Sequence, residues 1–308
     1  MKDIQVSLFN NEFEAKTTNG LNDFISSQSN YVPSNIAMVN APLYWQQGYT
    51  GRDVKIAVLD TGCFNHVDLT KNIIGGKNFT SEDNGNQSIY QDYNGHGTHC
   101  CGVIAGNEHI MGVAPNASLL VLKVLRGDGN GNAQGIIDAM NYAISQRVDI
   151  ISMSLGMSVK IPELYEVVKR VVNNNILLVC AAGNNGDNNS TTDEFSYPAG
   201  YEESISVGAI DLTRSGATFT NSNLWIDCVA PGVDVISTYL NDSYCSMDGT
   251  SMATPHVTGV LALIVEKFRK EWGRNPSESE AYGQLIKNTL DIPNIPRSIQ
   301  GNGMIYLK

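Results

Sequence analysis

From residue 54 onward, short apolar runs of strand length are separated by segments with helical spacing, and this alternation limits the fold more than any single motif. The runs Val54 to Leu59, Leu119 to Val124, Asp149 to Ser154, Ile176 to Ala181 and Ser204 to Ala209 are too short for helices. They also lack the polar alternation of a half-exposed strand, so they read as strands buried on both faces. Helix patterns lie between them at about Thr98 to Ala105, Gln134 to Gln146 and Pro162 to Asn173. The expected architecture is α/β, with a largely parallel central sheet and helices on both faces. In such sheets ligands collect beyond the carboxyl ends of the strands.

Near the C-terminal side, Val257, Val260, Leu261, Leu263, Ile264 and Phe268, with small Gly259 and Ala262, predict a packed central helix. Pro255 is expected in its first turn or at a kink. Ser277 and Glu280 form a capping-box pattern that opens another helix, expected to end near Leu290. Residues 1–30 are polar and weakly periodic, so they are read as a short leader, loosely packed or partly disordered, before one domain spanning 31–308.

The formal charge of -11 and pI of about 4.8 leave no clustered cations for phosphate, which argues against nucleic acid as a partner. No apolar run is long enough to span a bilayer and the first residues lack a signal-peptide core, so no membrane association and a cytoplasmic location are expected. In that compartment Cys63, Cys100, Cys101, Cys180, Cys228 and Cys245 are expected as free thiols. Cys100 and Cys101 adjoin His99, yet no Cys-x-x-Cys pair accompanies them, so a structural zinc site is disfavoured.

Three segments carry chemistry. Asp60 ends an apolar strand in Val58-Leu59-Asp60-Thr61-Gly62. His96 lies in Gly95-His96-Gly97-Thr98-His99, and Ser251 opens a helix in Gly249-Thr250-Ser251-Met252-Ala253-Thr254-Pro255-His256. Singly, these are a turn former, a packed histidine and a helix cap. Together, at one edge of a parallel sheet, they supply what a hydroxyl nucleophile needs: a base within reach and a carboxylate to orient that base. The helix start after Ser251 adds positive field near a developing oxyanion. A peptide-binding module without catalysis, and a metal hydrolase using His96 and His99, are the rival classes. The latter lacks a His-Glu-x-x-His pattern.

Asp60-Thr61-Gly62, His96-Gly97-Thr98-His99 and Gly249-Thr250-Ser251-Met252-Ala253, in that order, resemble the three signatures of the subtilisin-family serine proteases. The resemblance implies a three-layer sandwich and endopeptidase activity on protein and peptide substrates, with Ser251 as nucleophile, His96 as general acid and base, and Asp60 as its orienting carboxylate. Ala181-Ala182-Gly183-Asn184 is similar to the family segment that carries the oxyanion asparagine, which makes Asn184 that residue. Gly129-Asn130-Gly131 and Ser154-Leu155-Gly156 resemble the two edges between which a substrate lies as an added strand. The primary pocket is implied between Ser154 to Gly156, Ala181 to Gly183 and the neighbourhood of Ser196, all uncharged, so a large uncharged residue is expected before the cleaved bond.

Asp60-Thr61-Gly62-Cys63, Gly75-Gly76-Lys77-Asn78-Phe79-Thr80, Asp92-Tyr93-Asn94-Gly95-His96, Val148 to Gly156 and Gly301-Asn302-Gly303 look like the bacterial intracellular branch. That likeness implies a homodimer and an inactive precursor held by its leader, although Val6-Ser7-Leu8-Phe9 lacks the Pro-Tyr pair of the usual inhibitory stretch. It also implies structural calcium, with Asp68 as a ligand of the tight site and carbonyls of Ala199, Tyr201 and Ser204 at a weaker one. The loop Asn107-Glu108-His109-Ile110-Met111 is shorter than the one that usually wraps the tight site. Among the cysteines, Cys245 is expected nearest to Ser251.

Overall fold

The computed structural model describes residues 4–9 and 15–308; those parts of the leader at 1–3 and 10–14 lie outside the described residues. The strands are β1 (Gln5–Ser7), β2 (Lys55–Asp60), β3 (Ile73–Asn78), β4 (Ser118–Lys123), β5 (Asn130–Asn132), β6 (Ile150–Met153) and β7 (Leu177–Ala181). They continue as β8 (Ile205–Ile210), β9 (Cys228–Pro231), β10 (Val235–Tyr239), β11 (Ser243–Met247), β12 (Thr289–Leu290) and β13 (Met304–Ile305). The helices are α1 (Asn19–Ser26), α2 (Ser34–Met38), α3 (Ala41–Gln46), α4 (His96–Ala105), α5 (Ala133–Ser145), α6 (Pro162–Asn173), α7 (Thr250–Trp272), α8 (Glu278–Lys287) and α9 (Arg297–Gln300).

Among the described residues, nine strands form one sheet in the order β12-β13-β9-β8-β7-β6-β2-β4-β3. All pairs in it are parallel except β12 with β13. Successive residues of a strand face opposite sides, and the two cores follow that rule. Ile56 and Val58 of β2 and Val121 of β4 face the core shared with α4 and α7, whereas Ala57, Leu59 and Leu122 face the core shared with α5 and α6. This is the expected α/β sandwich, and the five strand readings each land within a residue or two of the observed element.

Helix α7 is buried from Thr250 through Val265, as its apolar pattern predicts. Pro255 does not occupy the first turn; it is the sixth residue of the helix. Lacking an N–H, it leaves the carbonyl of Ser251 without its i+4 donor, and Ser154 Oγ donates to that oxygen instead at 2.8 Å. The Ser277–Glu280 capping box is present, but α8 ends at Lys287, because Thr289 and Leu290 turn into the edge strand β12.

In its described residues the leader is not loosely packed. β1 pairs antiparallel with β5, and α1 is capped by Thr18 and lays Leu21 and Ile25 against Ile110, Tyr31 and Tyr244. Between them Lys16 pairs with Ser246 of β11, its ammonium 3.0 Å from Asp234 and 3.2 Å from Asp248. Polar composition hid this segment because only a few of its side chains do the packing.

Candidate active site

Strand β2 delivers Asp60 at its carboxyl end, and α4 begins with His96 one layer above. His96 Nδ1 lies 2.7 Å from Asp60 Oδ1, both residues essentially excluded from solvent. The same Asp60 oxygen accepts the Thr61 N–H at 2.7 Å. Gly97 is required by close approach: a Cβ there would meet the Gly62 carbonyl oxygen at 2.2 Å, so any side chain would push α4 away from the Asp60 turn.

Helix α7 begins beside this pair. Cys100 Sγ is 4.0 Å from His96 Nδ1 and 3.5 Å from the Ser251 carbonyl oxygen, so the starts of α4 and α7 meet at these residues. Ser251 Oγ donates to the Ser154 carbonyl at 3.0 Å while Ser154 Oγ returns a bond to the Ser251 carbonyl, a reciprocal clasp between the two segments. Asn184, at the end of the β7 segment Ala181-Ala182-Gly183, accepts from Thr250 N–H at 2.9 Å and Thr250 Oγ1 at 2.8 Å through its Oδ1. That fixes its amide plane against the residue before Ser251. Gly183 N–H donates to Thr250 Oγ1 at 3.2 Å, closing the same corner.

The two edge segments bracket the leader. Gln5, Val6 and Ser7 pair with Asn132, Gly131 and Asn130, and Ser7 also bridges to Gly156 on the opposite side. Leu8 N–H donates to the Gly129 carbonyl at 3.0 Å. Val6 is buried in the core that includes Leu125, Ala133 and Leu155. Phe9 packs over Gly156, where a Cβ would meet its ring at 2.7 Å and Ser196 Oγ at 2.2 Å, so only glycine leaves room for both. Extended backbone with side chains seated alternately is the geometry of strand addition.

Several expectations need correction. Cys245 lies in β11 opposite Ser237, and it is Cys100 that touches the Ser251 backbone. Burial pushes the Cys100 thiol up to about 12. All six cysteines are free and buried. His99 bonds the Val235 carbonyl at 2.9 Å, and burial pulls its ring down to about 3, so it is a neutral anchor between α4 and β10.

Asp68 does not fit a calcium ligand. Its carboxylate accepts the His109 and Ile110 N–H groups of the shortened loop through one oxygen and the Tyr244 hydroxyl through the other. Hydrogens therefore face the oxygens where a cation would have to sit. The second proposed site fits better. Tyr201 and Ser204 line a cavity of about 700 Å³ with Glu202, Glu203, Asp227 and Glu278, an oxygen-rich and strongly acidic lining. Ala199 is buried two residues before Tyr201, and Ser204 Oγ and Glu203 Oε2 are buried without a hydrogen-bond partner.

The sequence model of the subtilase family matches residues 51–303. This chain belongs to the subtilase family. The subtilase is 51% identical over 284 residues to an intracellular serine protease of Paenibacillus polymyxa, covering 91% of this chain and 86% of that protein. It is 50% identical over 283 residues to the major intracellular serine protease of Bacillus subtilis, covering 90% and 88%. With subtilisin E of Bacillus subtilis it shares 42% over 240 residues, 77% of this chain and 61% of that one. No helix among the described residues of the subtilase is long and apolar enough to cross a membrane.

Sequence reasoning missed two parts of the site. Asp92 is buried and accepts from Thr61 Oγ1, Asn94 N–H, Gly95 N–H and both the N–H and Oγ1 of Thr98, at 2.6–2.9 Å, holding the entry to α4. The segment Asp92-Tyr93-Asn94-Gly95-His96 stood out by resemblance, but no role for Asp92 could be read from it. The clasp by Ser154 was hidden because it follows from Pro255 and a tertiary contact.

Proposed function

We propose that this subtilase is a serine endopeptidase that cleaves protein substrates through an acyl-enzyme formed on Ser251. The observation that carries the reading is the buried Asp60–His96 pair beside the start of α7. With Nδ1 bound to the carboxylate, His96 keeps the tautomer whose Nε2 takes the Ser251 proton and later returns it to the leaving amine, while Asp60 stabilises the imidazolium between. The tetrahedral oxyanion is received by the Ser251 backbone N–H and the Asn184 side-chain amide, whose orientation is held through Thr250. Peptide backbone pairs with Gly129 to Gly131 and Ser154 to Gly156, and a large uncharged side chain enters between Gly156, Ala182, Gly183 and Ser196.

In this reading the leader is an inhibitor. Its strand uses the same backbone groups as a substrate, so a protein chain cannot enter until β1 leaves. Calcium, if bound, belongs at the acidic cavity beside Ala199, Tyr201 and Ser204, where carbonyl and carboxylate oxygens would hold it and supply structural cross-linking only. A cytoplasmic location, supported by the two relatives named as intracellular proteases, and a homodimeric state complete the proposal.

The test is casein digestion, followed past any activation lag, by the intact chain beside Ser251→Ala, with fluorophosphonate labelling of both. Labelling and digestion by the first alone are expected. Digestion that persists in Ser251→Ala, or labelling at another residue, overturns the mechanism.

A further inference from the structure

Lys123 is a lysine with its side chain wholly removed from solvent, and the reaction just described gives it no task. Burying an ammonium costs several kcal/mol in general unless partners surround it, so its partners define what it holds. It ends β4 in register with Asp60 of β2, and its Nζ donates to the Thr61 carbonyl at 2.5 Å. Its counter-ion is Glu82, 2.8 Å away, and the ring of Tyr93 lies 5.4 Å off.

Each partner leads to a different half of the site. Thr61 follows Asp60, donates its N–H to the Asp60 carboxylate, and accepts the Gly97 N–H at 2.9 Å on its hydroxyl, so its backbone sets the angle at which Asp60 meets His96. Glu82 accepts the Gly127 N–H at 3.1 Å, while Asn94 Nδ2 donates to the Gly127 carbonyl at 3.0 Å. Gly127 is two residues before Gly129, where the edge that pairs with the leader begins.

We propose that Lys123 is a positioning residue that ties the substrate-binding edge to the Asp60 turn, through Glu82 and Gly127 on one side and the Thr61 carbonyl on the other. The inference rests on the protease reading above. An extended chain seated on Gly129 to Gly131 pulls on the same small set of hydrogen bonds that orients the carboxylate. Occupancy of the edge and alignment of Asp60 with His96 are thereby one arrangement.

The test uses the full chain with its leader removed by activation, and compares Lys123→Met, Glu82→Gln and the double variant. Each is assayed on a tetrapeptide anilide and on a single-residue ester that cannot reach the edge, with melting temperature measured alongside. Lys123→Met is expected to lower kcat on both substrates by roughly ten- to a hundredfold, the usual scale for a small misplacement of catalytic groups. In Glu82→Gln the Thr61 contact survives, and the larger part of its loss falls on KM for the tetrapeptide. The double variant, with no unpaired buried charge, regains melting temperature but keeps the low kcat of Lys123→Met.

If the double variant recovers kcat along with stability, the pair only balances charge and the proposal fails. It fails equally if Lys123→Met lowers the melting temperature and leaves kcat unchanged. Should Lys123→Met not fold, Glu82→Gln decides alone, and equal losses on the two substrates sink the proposal. Hydrolysis by the unaltered chain and its loss in Ser251→Ala test the protease reading independently of all three variants.

Discussion

In the proposed mechanism Asn184, a side chain of no intrinsic reactivity, becomes useful by being held. Its Oδ1 is committed to Thr250, so the amide group is fixed in direction and needs no reorganisation when negative charge develops. Loss of the corresponding asparagine in a subtilisin lowers kcat by about a hundred- to a thousandfold, and Asn184→Ala is expected to do the same here with KM little changed. Single-turnover kinetics on a chromogenic peptide check this, and a change confined to KM would contradict it. Asp60, His96 and Ser251 could be singled out as candidates because glycine and small residues crowd their neighbourhoods in the chain. Lys123 and Asp92 could not, since nothing local distinguishes a buried lysine at a strand end from an exposed one, or a turn aspartate from a brace. Asp68 was expected as a calcium ligand, but the short loop brings N–H groups to its carboxylate where a longer one would bring oxygens.

Among the elements, the leader departs most from its sequence reading. Three residues of β1 and the clamp at Lys16 hold it at two separate places, one on the binding edge and one on β11. Val6 is the buried part of the first, so Val6→Asp places a charge in the core around Leu125 and Leu155 and is expected to free the cleft without touching catalytic groups. The expected outcome is a shorter lag before casein digestion, by severalfold or more, with an unchanged rate after activation. An unaltered lag would mean that the strand does not restrain the enzyme. By contrast, β2, β4, β6, β7 and β8 could be read directly, because a strand buried on both faces must be apolar along its length. The edge pair β12–β13 could not, since two-residue strands leave no period to detect.

At the scale of the whole molecule, Asp227 joins pieces that no local pattern connects. It accepts the Ser206 N–H at 2.7 Å from β8 and the Tyr282 hydroxyl at 2.6 Å from α8, on the wall of the acidic cavity. Burial raises its carboxyl from 3.8 to about 6. A carboxyl raised in the folded state contributes stability that is complete below the unfolded value and is lost as pH climbs through the folded one. Between pH 4 and 6.5 the intact chain should therefore lose stability relative to Asp227→Asn, by on the order of 2–3 kcal/mol. Denaturant melts of both proteins across that window measure it, and parallel pH curves would refute it. In the proposed calcium reading an ion in the cavity favours the ionised carboxyl, so added calcium should shrink the difference at pH 7 and a chelator should restore it.

The strand that fills the cleft satisfies β5 through main-chain groups, and amide and carbonyl pairing does not ask which chain supplies the partner. In the proposed inhibitory reading, departure of that strand leaves a hydrogen-bonding rail that will accept any pliant polypeptide nearby, including surface loops of sibling molecules. The working lifetime of the released protease should then shorten as its own concentration rises, a second-order decay that abundant foreign protein would slow.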